Sequence, residues 1–117
     1  EEGGGEVLGE ATCNEPLLTQ YLGPGKPTND PAQVVLLQNF LNGEVGAVLP
    51  TTGYYGPLTT AAVNTFQLKY WQEILAPWVP FGLPTDHTTT GFVGKLTLWK
   101  VNSLICPGLN IPVPQIP

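Results

Sequence analysis

The sequence predicts an all-α domain: a small bundle of three helices, with a short extra helix on its N-terminal side and an extended arm at each end. Three observations lead there. Apolar residues recur at spacings of three and four in separate segments, each bounded by proline or glycine. The two cysteines, Cys13 and Cys106, bracket nearly all of the apolar sequence. Outside them lie a Gly- and Glu-rich segment (1–12) and a Pro-rich one (107–117). The expected organisation is a flexible acidic arm over 1–12, a helical domain over 13–106 and a second arm over 107–117.

The elements follow in chain order. Asn14 is placed to cap a short helix carrying Leu17, Leu18, Tyr21 and Leu22, stopped by Gly23-Pro24-Gly25. Asp30 as N-cap, Pro31 at the first helical position and Gln33 three residues after the cap start the next helix. It is expected to reach Asn42, with Gly43 as its stop. A third helix begins near Pro57, carries Val63, Phe66, Tyr70 and Ile74 on one face, and ends near Ala76, before Pro77. The last runs from about Val93 to Cys106, with Thr97, Val101, Leu104 and Ile105 inward and Pro107 beyond. The long connection from Pro77 to Gly91 reads as irregular, and loops of such length are often functional.

Charge narrows the function. Only 11% of the 117 residues are charged, against about 25% in ordinary soluble domains. Five of the nine acids (Glu1, Glu2, Glu6, Glu10 and Glu15) fall within the first fifteen residues. From residue 16 on, Asp30, Glu44, Glu73 and Asp86 balance Lys26, Lys69, Lys95 and Lys100, and there is no arginine. A neutral, Arg-free domain lacks the cations that phosphate backbones or anionic lipid surfaces require, so nucleic acid is not an expected partner. No apolar run reaches the 18 residues of a spanning helix, so membrane insertion is not expected either.

Cys13 and Cys106 have no metal-site spacing, and we read them as a disulfide, the alternative being two separate buried thiols. A bridge closing so long a loop contributes about 4 to 5 kcal/mol in the chain-entropy model. It also implies an oxidising, extracellular or cell-surface location. The start at Glu1 without a Met fits removal of a signal peptide.

One stretch carries a resemblance. Leu37-Gln38-x-x-Leu41, then Gly53-Tyr54-Tyr55-Gly56-Pro57-x-Thr59-x-x-Ala62-Val63-x-x-Phe66-Gln67, then Thr90-Gly91-x-Val93-Gly94-x-x-Thr97, resembles the small bacterial peptidoglycan-binding domain over residues 30 to 105. The resemblance implies a three-helix fold and attachment to cell-wall glycan. Read physically, Gly53 and Gly56 permit a tight turn, Pro57 starts a helix, and the Thr59 hydroxyl can serve the orphan backbone groups of its first turn. Ala62 permits close helix contact beside the core residues Val63 and Phe66. Two departures stand out: Thr52 replaces the acidic residue usual before the first turn glycine, and Val35 and Leu36 are apolar where the family is commonly charged.

The inventory for catalysis is thin. His87 is the only histidine and, beside Asp86, reads as a loop residue. Glu73 reads as the partner of Lys69, one helical turn away. No phosphate loop or nucleophile motif occurs, so no enzyme, cofactor or metal is expected. Tyr54, Tyr55, Trp71 and Trp78 are the candidate glycan contacts, core or loop-anchoring roles being the alternative for the tryptophans. The third reading is self-association. The helix with Val34-Val35-Leu36-Leu37 has an apolar face wider than one stripe, and Leu109, Ile111, Val113 and Ile116 alternate with prolines in the C-terminal arm. Val35, Leu36 and that strip are therefore candidate subunit contacts, unless the arm folds back on its own domain. A secreted, non-catalytic subunit of an extracellular filament or layer is the leading expectation, and a monomeric wall-binding module the alternative.

Overall fold

A computed structural model describes residues 13–117. Its helices are α1 (Pro31–Glu44), α2 (Pro57–Lys69), the single turn α3 (Trp71–Ile74) and α4 (Lys95–Ile105), with 3-10 helices at Ala76–Phe81 and Pro107–Leu109. Among the described residues the β-structure is a lone bridge between Leu22 and Val93. The molecule is all-α, as the apolar spacing predicts.

Helix α1 starts as expected: Asp30 is the N-cap, its carboxylate accepting from the Ala32 N–H (3.0 Å), and Pro31 supplies the first turn. Gln33 does not complete a capping box. Its side chain reaches the preceding segment instead, accepting from the Thr19 N–H (2.6 Å) and donating to the Leu17 carbonyl (3.4 Å). Gly43 is not the stop either. The helix passes through it to Glu44, and the reversal falls at Gly46, which adopts φ 68°.

The short N-terminal helix is absent, and residues 13–22 form a non-helical segment with bends at Glu15 and Gln20. A spacing of four is even, so it keeps residues on one side of a strand as well as of a helix. Leu18 and Leu22 are both buried by that route, and Leu22 pairs with Val93 through reciprocal backbone bonds of 3.2 and 2.8 Å. The third helix is also shorter than its apolar spacing suggests. It breaks at Tyr70 (φ −120°, ψ 38°), whose carbonyl accepts from Glu73 and Ile74 to begin the separate turn α3. At that break the phenol donates to Glu44 on α1, and the ring meets Phe66 at 5.3 Å.

The core combines Val34, Leu37 and Leu41 of α1, Ala62, Val63 and Phe66 of α2, Ile74 of α3, and Leu96 and Val101 of α4. Leu18, Leu22, Leu49, Tyr55, Leu75 and Val93, from outside these helices, complete it. A disulfide joins Cys13 to Cys106, with Cα atoms 6.0 Å apart and 93 residues of separation, and anchors the start of the described chain to the end of α4. Beyond it the C-terminal arm turns back at Asn110 (φ 49°) and lies along its own domain.

Candidate functional site

Buried extended backbone needs hydrogen-bond partners that a helical fold does not automatically supply. Here side-chain carboxamides supply them. Asn102, buried on α4, accepts from the Leu18 N–H (2.9 Å) and donates to the Leu18 carbonyl (3.0 Å). Asn42 holds the N–H and carbonyl of Leu49 in the same way, at 2.8 and 3.0 Å, and Asn29 those of Gly23, at 3.2 and 2.7 Å.

Two glutamines do this work for the motif segments. Gln38, fully buried on α1, donates to the Tyr54 carbonyl (2.9 Å) and the Thr59 hydroxyl (3.1 Å) and accepts from the Gly53 N–H (3.1 Å). Gln67, fully buried on α2, donates to the Thr90 hydroxyl, the Phe92 carbonyl and the Thr97 hydroxyl at 2.8 to 3.2 Å. Its carbonyl accepts from the Thr90 and Gly91 amides at 2.9 and 3.4 Å. Both glutamines are legible in the sequence motif, but their role shows only once the loops they bind are placed. Thr59 is thus bound to Gln38 and does not serve the helix start; the neighbouring Thr60 hydroxyl bonds the Gly56 carbonyl instead (2.9 Å).

The turn that Gln38 pins presents Tyr54. This side chain is 65% exposed, yet it is held firmly: Thr52 accepts its N–H, Gln38 takes its carbonyl, and its ring lies so close over Gly56 that a Cβ there would sit 2.5 Å from Cε2. Grooves of about 240 and 510 Å³ flank the ring, the first reaching Pro50 and Leu58, the second Pro24, Thr60 and Asn64. Both are lined by neutral groups. The Thr52 hydroxyl, accepting from the Tyr54 N–H at 3.1 Å, braces the turn that carries the tyrosine.

The other candidate glycan contacts are placed differently. Tyr55 borders the larger groove but its side chain is buried; its hydroxyl donates to the Gly91 carbonyl (2.7 Å), and burial pushes its phenol well above the ordinary value, so its ring serves the core. Trp71 stacks on His87, with centroids 4.4 Å apart, and His87 in turn bonds Asp86 (2.7 Å). Trp78 borders a separate apolar hollow of about 330 Å³ between Phe81, Leu83, Phe92 and Leu96.

Charge is concentrated where α1 meets α2 and α3. Lys69 and the Tyr70 hydroxyl both donate to Glu44. Burial opposes ionisation of Glu44, but these two bonds outweigh it and hold the carboxyl below its usual range. The same bonds raise Lys69 and Tyr70. Lys69 therefore pairs with Glu44, not Glu73, while Glu73 pairs with Lys100 of α4 (2.9 Å). Among the described residues no three His, Cys, Asp or Glu side chains are grouped as metal ligands, and no helix is long and apolar enough to cross a membrane.

Several candidate subunit contacts are covered within the chain. Leu36 and Ile116 pack on the core, while Val35, Leu109 and Ile111 are half-buried. Val113 stays exposed. The arm folds back because α4 offers donors to its carbonyls: the Trp99 indole to Ile111 (2.9 Å), and the Lys95 ammonium to Gln115 (3.2 Å) and Pro117 (2.8 Å). Comparison with protein-family models, curated proteins and solved structures finds no match.

Proposed function

We propose that this protein is a non-catalytic, extracytoplasmic structural subunit, built on a peptidoglycan-binding-like scaffold, that associates with copies of itself in a filament or layer. The observation that carries this is the pairing of an apolar surface with charges already engaged. Tyr21, Val48, Tyr54, Leu58, Leu68, Val79, Phe81, Phe92 and Val113 are all exposed, Val48 by 93%. Meanwhile Glu44, Glu73, Asp30, Lys69, Lys95 and Lys100 each serve an internal bond. A surface with so many apolar side chains is better suited to contact with protein than to water.

The disulfide supports the location, being stable in oxidising compartments. Light scattering of the purified chain across a concentration series, with electron microscopy of the concentrated sample, tests the reading. Mass should rise with concentration, and a constant monomer mass would overturn it.

Attachment to wall glycan is the second reading, favoured by the rigid, exposed Tyr54 between two neutral grooves and by the resemblance of segment 53–67 to the wall-binding family. Pyranose rings stack on such a face while hydroxyl and carboxamide groups bond their substituents. Co-sedimentation with purified sacculi checks it: the wild type should pellet and Tyr54→Ala should remain in the supernatant.

A further inference from the structure

On α4, Lys95, Leu98, Trp99 and Asn102 stand at positions i, i+3, i+4 and i+7 and so form one stripe. The C-terminal arm lies against that stripe at Trp99 and Lys95. The chemistry of the contact is one-sided. All three bonds run from α4 donors to arm carbonyls, and none uses an arm N–H. Within Ile111-Pro112-Val113-Pro114-Gln115-Ile116-Pro117 three residues have no N–H to offer, and an extended proline-rich chain turns its carbonyls outward. An indole N–H on a ligand carbonyl, beside aromatic and aliphatic walls, is how grooves recognise polyproline II segments.

We infer that this face of α4 is a receptor for a proline-rich extended segment, and that its occupant in an assembly is the 107–117 arm of a second copy. The inference rests on the self-association reading. Two features favour exchange. The intramolecular fit is incomplete, leaving a hollow of about 220 Å³ between Tyr21, Leu98 and Trp99 on one side and Pro112 and Pro114 on the other, with Val113 in solvent. The arm also leaves the domain through a short turn, Pro107–Leu109, followed by Asn110 in the left-handed region, so a change at few residues redirects it. A donated arm makes the same bonds in the neighbour as at home. A copy that gives its arm to one neighbour and receives from another forms a heterologous contact, which propagates as a ring or an open filament.

The test is complementation between full-length chains. One variant carries Lys95→Met and Trp99→Phe, with its arm intact; the other carries Ile111→Asp and Ile116→Asp, with its groove intact. Exchange predicts that each alone associates at least about tenfold more weakly than wild type and that an equimolar mixture forms a heterodimer and nothing larger.

If wild type associates while the groove variant associates equally well, or the mixture yields no heterodimer, arm exchange is wrong although self-association stands. If wild type stays monomeric, both readings fall. A second measurement does not depend on the variants folding. A synthetic peptide of residues 108–117, added to wild type at about 1 mM, should lower the assembled mass by competing for the groove, and an unchanged mass overturns the proposal.

Discussion

Gln67 shows how much one neutral side chain can organise. Five bonds converge on its carboxamide from the loop after the long connection and from α4. Replacing it with leucine preserves approximate volume but strands the buried Gly91 amide and Thr97 hydroxyl and breaks part-buried bonds to Thr90 and Phe92, a buried group left unpaired costing about 1 to 3 kcal/mol. Gln67→Leu should therefore lose about 3 kcal/mol in urea unfolding at an unchanged slope. The sequence shows Gln67 beside Phe66 in the motif but not its partners, because those lie 23 to 30 positions away. Tyr55 was misleading for a related reason: an adjacent tyrosine pair leaves open which ring faces solvent, and the Gly91 carbonyl at its hydroxyl is what places it inside.

Among the elements, α1 was legible at its start and not at its end. Asp30-Pro31 is a local signal, whereas the end depends on where Gly46 can reverse the chain. Gly43 therefore remains inside the helix, exposed and with open space around a would-be Cβ. Gly43→Ala should raise stability by about 0.5 to 1 kcal/mol, seen as a higher thermal midpoint. The N-terminal segment failed as a helix because its four-residue spacing fits both periodicities, and the carboxamides of Asn102 and Gln33 decide for the non-helical form.

The joint between α1 and α2 carries a pH dependence. The Glu44 carboxyl is held below its ordinary value of 4.5, so its contribution is present above that value and lost as pH falls through the folded one. Acidification from neutral pH should lower the melting temperature of wild type more than that of Glu44→Gln. The raised Lys69 and Tyr70 work in the opposite sense: their contribution is present below their ordinary values and fades as pH climbs past them.

For the whole molecule, the bridge joins the two ends of the described core. Its loop spans 93 positions, for which the chain-entropy model gives about 4 to 5 kcal/mol. Reduction should cost about that much, measured as a lower urea midpoint for the dithiol form. The bridge was readable from the position of two cysteines around the apolar sequence. The path of the C-terminal arm was not, since a proline-rich strip announces that it will lie on a surface without saying whose.

The side chains that join extended backbone to helix in this fold are amides, and amides age. Hydrolysis of a side-chain carboxamide replaces its NH₂ donor with a carboxylate oxygen, one reason such residues are scarce in heat-adapted proteins. At Asn102 that oxygen would face the Leu18 carbonyl it now bonds, turning an attraction into a repulsion inside the core. The durability of this fold is thus tied to slow covalent damage at a few buried amides, with water exclusion around them acting as the preservative.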